Sequence, residues 1–126
     1  MQDEELTSAI IGCAYKVHNT LGAGFLEKVY ENALAIELQK HALRVQQQKP
    51  ITVYYEGQVV GDYYADLCVE DRVIVELKAG AALHKAHEVQ LVNYLTATGI
   101  DIGLLLNFGE SVEVKRKYRQ YKPKKV

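Results

Sequence analysis

Between Pro50 and Lys78 the chain runs through three strand-forming stretches with almost nothing between them. Residues 51–55 (Ile-Thr-Val-Tyr-Tyr) are β-branched and aromatic, residues 58–69 continue in the same style, and residues 73–78 (Val-Ile-Val-Glu-Leu-Lys) close the series. The links are Glu56-Gly57, a hairpin signal, and the short stretch around Glu70-Asp71. Links this short make consecutive strands hairpin partners, which limits the architectures open to the rest of the chain.

On either side the apolar spacing changes to that of helices. Leu6, Ile10, Cys13, Val17 and Leu21 recur every three or four residues, predicting a helix over 4–20 that Gly22 ends in a left-handed cap. A second helix is expected from about residue 25 to 41, with Leu26, Val29, Tyr30, Ala33, Leu34, Ile36 and Leu38 as its apolar stripe. A third is expected over 82–98. Residues 100–107 read as a buried strand and 112–118 as a short last one. The order is ααβββαββ, an α+β fold with a mixed sheet flanked by helices.

The 126 residues are 48% apolar, enough for one domain with a real core. The formal charge of −1 conceals an asymmetry. Residues 115–125 hold seven Lys/Arg and no acid, so the remainder is strongly acidic. The expected organisation is one domain over 1–118 and a basic tail over 119–126. Cys13 and Cys68 lie among apolar neighbours outside any CxxC pattern, as reduced core residues of a cytoplasmic protein do. The acidic N-terminus is unlike a signal peptide, and no apolar run approaches the ~18 residues a membrane helix requires.

Chemistry concentrates at the ends of the second and third strands. Residues two apart on a strand share a face, so Glu76 and Lys78 point one way while Val73, Val75 and Leu77 point the other, into apolar packing. Asp66 joins Glu76 only if the connection has odd length. A three-residue loop, Glu70-Asp71-Arg72, sets Asp66 opposite Glu76, whereas a two-residue turn sets it opposite Val75. Two carboxylates and a lysine brought together there can hold a divalent cation and activate water beside a phosphate. The alternative is that Glu76 and Lys78 are ordinary polar positions at a strand end.

The helices supply further candidates. Gly24, Glu27 and Tyr30 are three apart on one flank of the second helix, with Glu27 in the first turn, where the helix dipole also favours an acid. His87, Gln90 and Tyr94 form one stripe on the third helix. His84 and His87 are three apart, but no further His or Cys is placed to complete a zinc set. His87 fits better as a group touching phosphate or positioning a carboxylate.

These segments resemble a known pattern. Gly24-Phe-Leu-Glu27-Lys-Val-Tyr30 is similar to the signature of the GxxExxY protein family. So are Tyr63-Tyr-Ala-Asp66-Leu, Val75-Glu76-Leu-Lys78-Ala, His87-Glu-Val-Gln90-Leu-Val-Asn-Tyr94-Leu and Gly103-Leu-Leu-Leu-Asn107-Phe-Gly109, in the family's order over roughly 6–118. That family resembles a compact branch of the PD-(D/E)xK nucleases. The resemblance implies a restriction-endonuclease-like core: a helix, a three-stranded antiparallel meander, a helix and a further strand. It puts Asp66 in the first acid position, Glu76 and Lys78 in the (D/E)xK position and Glu27 in the acidic position of the first core helix. Gln90 and Tyr94 resemble the QxxxY motif of recombination-type members. The superfamily's Pro-Asp pair is absent, since Asp66 follows Ala65.

The expected activity is phosphodiester hydrolysis in DNA or RNA with Mg²⁺ or Mn²⁺ as cofactor. Asp66, Glu76 and the Leu77 main-chain carbonyl would be ligands, Glu27 would hold a second ion or a metal water, and Lys78 would orient water or stabilise the phosphate. Lys115, Arg116, Lys117, Arg119 and Lys122 would attract the backbone, and Tyr118 and Tyr121 would stack on bases. A homodimer would pool two basic tails. The rival is a binding module for nucleic acid or protein, without catalysis, in which the carboxylates hold Lys78 in a structural salt bridge. Hydrolysis of nucleoside triphosphates fits poorly, because no glycine-rich phosphate loop is present.

Overall fold

The computed structural model describes residues 1–120. Helices α1 (Asp3–Leu21) and α2 (Glu27–Lys40) precede strands β1 (Val45–Tyr55), β2 (Gln58–Val69) and β3 (Val73–Lys78). Helix α3 (Lys85–Thr98) then leads to β4 (Ile102–Phe108) and β5 (Val112–Tyr118). This is the expected order. The five strands lie side by side as β1-β2-β3-β4-β5. β3 and β4 are parallel, joined by α3 as crossover, and every other pair is antiparallel. No helix among the described residues is long and apolar enough to cross a membrane.

The sheet separates two cores. On one face α1 and α2 cover Leu67, Val69, Val73, Val75, Leu77, Leu104 and Leu106. On the other α3 packs Leu91, Tyr94 and Leu95 on Ile51, Ala65, Ile74 and Leu105. β3 is therefore buried on both sides, with its odd positions towards α1 and α2 and Ile74, Glu76 and Lys78 towards α3. Cys13 and Cys68 are free and buried.

The helix boundaries differ from the sequence expectation for local reasons. Gly22 has φ 76° and ψ −172°, so its N–H still bonds His18 O (2.7 Å) while the chain leaves extended instead of curling into a left-handed cap. α2 begins at Glu27 because Tyr30 ties down the preceding loop. Its hydroxyl donates to Gly22 O (2.6 Å) and accepts from Phe25 N–H (3.2 Å), and its ring stacks on Phe108. The buried stripe of α2 is accordingly Tyr30, Leu34, Ala35 and Leu38, with Glu31 among them, while Leu26, Val29 and Ile36 are exposed. α3 begins at Lys85, three residues later than its spacing suggests. The Asn107 side chain clips the intervening loop by donating to Gly80 O and accepting from Gly80 N–H, both at 3.0 Å.

Candidate active site

The site lies where β2 parts from β3. The Glu56-Gly57 turn has both residues at positive φ, as its type requires, and β1 pairs with β2 along nearly its whole length. At the other end, Glu70 and Asp71 are both left-handed and Arg72 N–H bonds Val69 O (3.0 Å). Val69 pairs with Val73 across a three-residue loop, Cys68 with Ile74 and Leu67 with Val75, and there the ladder ends. The loop is thus odd, and the next facing positions are Asp66 and Glu76.

Side chains replace the missing ladder bonds. Asp66 N–H donates to Glu76 Oε2 (2.7 Å), and Leu77 N–H donates to Asp66 Oδ2 (2.9 Å). Each acid thus accepts a main-chain donor of the strand opposite, and both carboxylates are held in the fork. Glu76 is 7% exposed. Burial, then the nearby Asp66 charge, push its carboxyl up to about 8. Burial also raises Asp66, against the Leu77 N–H that favours its charged form.

Lys78, half-buried one turn of the pleat beyond Glu76, is close enough to favour the charged forms of both acids. It makes no ion pair with either among the described residues. Lys78 and desolvation also act on His87 of α3, and desolvation is the larger cause of its lowered pKa. Tyr94 lies 7% exposed with its ring 5.7 Å from Tyr63, raised in pKa by burial and then by Glu76. Glu27 is exposed at the start of α2, near enough to His87 to favour its protonated form. Gln90 is exposed on α3 in the wall of a groove of about 1060 Å³ between α3 and the outer β1–β2 hairpin, which also reaches Tyr94, Tyr54 and Tyr63.

Several candidates serve other ends. Gly24 belongs to the α1–α2 connection (φ 103°), not to a helix flank, and Tyr30 is a core residue occupied with Gly22 and Phe108. His84 caps α3, with its ring against His87 and, among the described residues, no third ligand beside them. The basic residues sit on or after β5, which β4 separates from β3. Arg116 donates to Thr7 Oγ1 (3.1 Å), Lys117 pairs with Glu88 (2.6 Å) and Arg119 with Asp101 (2.8 Å). Lys115 is exposed, as is Tyr118, while Tyr121 and Lys122 lie outside the described residues.

Sequence reasoning missed Glu31 and the residues that hold it. Glu31 is buried, and its carboxylate accepts from Lys28 Nζ (2.9 Å), Gln47 Nε2 (2.9 Å) and Gln48 Nε2 (3.0 Å). Its charge acts on Asp66. The available signal was its i+4 relation to Glu27. Nothing in Gln46-Gln47-Gln48 distinguished it from an exposed edge strand.

Among the described residues no three His, Cys, Asp or Glu side chains converge as an ion site. The fit of a cation rests on the two acids. Two adjoining desolvated carboxylates repel, and a divalent ion offsets that repulsion. Oxygen donors suit Mg²⁺ or Mn²⁺, hard cations that keep several waters.

A search of curated proteins found no match. Among solved structures the chain is similar to SSO0001, with a TM-score of 0.59 and 15% identity over 75% of this chain and 50% of that one. It is also similar to an alkaline exonuclease, LHK-Exo of Laribacter hongkongensis, with a TM-score of 0.54 and 13% identity over 74% of this chain and 56% of that one. The chain therefore spans only about half the length of these two, and the likeness is one of fold. A comparison with protein families matches residues 4–120, nearly the whole chain, to a nuclease superfamily. With Asp66, Glu76 and Lys78 meeting at the fork of a mixed sheet, the chain belongs to the PD-(D/E)XK nuclease superfamily.

Proposed function

We propose that this protein is a Mg²⁺- or Mn²⁺-dependent nuclease that hydrolyses phosphodiester bonds of DNA or RNA, and that within its superfamily it is a member of the GxxExxY family. The carrying observation is the pair of acids held across the fork, beside a lysine that makes no ion pair among the described residues. The superfamily acts on nucleic acid and is generally dependent on divalent metal.

Asp66 and Glu76, with the Leu77 carbonyl, would hold the ion. When bound, it supplies Lewis-acid stabilisation of the phosphate and a more acidic water. Leu77 N–H and Asp66 N–H keep the two carboxylates oriented before substrate arrives. The Lys78 ammonium, not spent on a salt bridge, can donate to a non-bridging phosphate oxygen or to the attacking water. Water oxygen bonds to phosphorus and one P–O ester bond breaks, leaving a phosphate monoester and a sugar hydroxyl. Glu27 and His87, near each other at the starts of α2 and α3, would bind or orient the scissile region. Gln90 and Tyr94 would guide a strand from the adjoining groove, where Tyr54 and Tyr63 offer faces for stacking. The unpaired state of Lys78 also weighs against the rival binding module, whose acids would be occupied with that lysine.

The test is incubation of purified protein with single- and double-stranded DNA and RNA in Mg²⁺, Mn²⁺ or EDTA. Wild type is expected to cleave at least one substrate with metal and none in EDTA. Glu76→Ala and Lys78→Ala should each lose roughly 100-fold or more of that rate, the scale of a lost charge-stabilising group. A folded protein that binds Mn²⁺ yet cleaves none of the four substrates would count decisively against a nuclease.

A further inference from the structure

Gln48 has a backbone that glutamine rarely adopts, with φ 54° in the middle of β1. A non-glycine residue is strained in this conformation. The distortion has a defined place. Gln47 pairs with Leu67 and Lys49 with Ala65, so Gln48 faces Asp66, the one position between them where the ladder is interrupted. It also has a defined result. Adjacent strand residues normally point to opposite faces. Here Gln47 and Gln48 both reach the Glu31 carboxylate, at 2.9 and 3.0 Å. β2 turns over at the same level, since Ala65 packs under α3 while Leu67 packs under α1 and α2.

Glu31 is buried and accepts three donors. Lys28 and Gln47 bond Oε2 and Gln48 bonds Oε1, all three donors reaching in from exposed positions. It therefore acts as an anchor for the glutamines. One Gln48 amide hydrogen is fixed on Glu31, and the side chain, opposite Asp66 across the strands, lies close enough to favour the charged form of that acid. The amide thus sits beside both acids.

We propose that Gln48 is a positioning residue of the site: anchored by Glu31 and bent into the left-handed conformation, its amide sets the Asp66 carboxylate where it meets Leu77 N–H and the ion. The inference rests on the reading of Asp66 as an ion-holding acid, and its test separates the two. Gln48→Gly keeps the backbone conformation without strain and removes the amide. Gln48→Asn tolerates the same conformation but is one methylene too short to bridge, which provides a second variant should the first not fold. The probes are the Leu77 amide proton, observed by NMR in metal-free protein, and Mn²⁺ titrated by calorimetry. Both variants are expected to shift the Leu77 resonance and speed its exchange about tenfold, and to weaken Mn²⁺ binding about tenfold, as loss of an outer hydrogen-bond partner does. A Leu77 amide that stays as in wild type in the folded variants overturns the proposal, whatever Mn²⁺ does. A Leu77 amide that moves while wild type binds no Mn²⁺ upholds Gln48 as positioning residue and removes the metal from the function.

Discussion

Glu76 is the residue with most at stake. Its carboxyl has lost its hydration, faces a second carboxyl and titrates near 8 in the metal-free protein. The folded state therefore binds this proton more tightly than the unfolded chain does. The resulting stability is complete below the ordinary glutamate value and is lost as pH rises towards 8. Glu76→Gln keeps an acceptor for Asp66 N–H and adds a donor towards Asp66, so its stability should be nearly flat over that window. In EDTA, the wild-type Tm is expected to fall between pH 5 and 8.5, leaving the variant higher at pH 8.5 by at least about 4 °C, roughly 1 kcal/mol for a chain of this size. Mg²⁺ should restore the wild type there and leave the variant unchanged. Parallel pH–Tm curves for the two proteins would refute the repulsion. Asp66, Glu76 and Lys78 could be picked out in the sequence because strand parity and loop length are one-dimensional quantities. Gln48 could not, because its role depends on a φ angle and a helix that neither its type nor its neighbours disclose.

At the level of elements, the loop after β3 decides where Lys78 and the start of α3 lie. It is held by β4 through Asn107, whose amide matches both hydrogen-bonding groups of the Gly80 peptide. Gly109 allows the approach, since a Cβ there would lie 2.9 Å from Gly80 O. That neighbour is backbone and cannot rotate away. Gly109→Ala should therefore destabilise the protein by about 1–3 kcal/mol, read as a lower urea midpoint. An unchanged midpoint would show that the clip yields without cost. β1 begins at Val45, six residues before the expected Ile51, since Gln46 to Pro50 carry no strand pattern. β2, β3, β4 and β5 were legible to within two residues, because turn residues bound them and β-branched residues fill them. The helix starts were not. Tyr30 holds the start of one apparent helix by bonds to nearby Gly22 and Phe25 and by stacking on distant Phe108. Asn107 holds the start of the other by bonds to Gly80, 27 residues away, and periodicity carries no trace of either.

For the whole molecule, the acidic body and basic end proved less separate than the charge pattern suggests. Arg116, Lys117 and Arg119 are engaged with Thr7, Glu88 and Asp101, binding the last strand to α1, α3 and the start of β4. Composition registers charge but not who neutralises whom. The expected ααβββαββ order and mixed sheet are what the fold contains, since each element's pattern was internally consistent. Contacts of very different sequence span close this sheet. Thr7 and Arg116 meet across 109 residues, whereas Asp66 and Glu76 are only ten apart on one hairpin. The fork is therefore expected to shape folding as well as the site. Short-range hairpin contacts cost least chain entropy and are expected to form before the long-range ones. The two acids would then face each other in the folding transition state, before α3 is secured over them. In metal-free solution at pH 8.5, Glu76→Gln should speed refolding several-fold and leave the unfolding limb nearly unchanged in stopped-flow chevrons. A change confined to unfolding would mean that the acids meet late. If they meet early, each newly made chain must pass its steepest barrier with its two most repulsive groups already face to face.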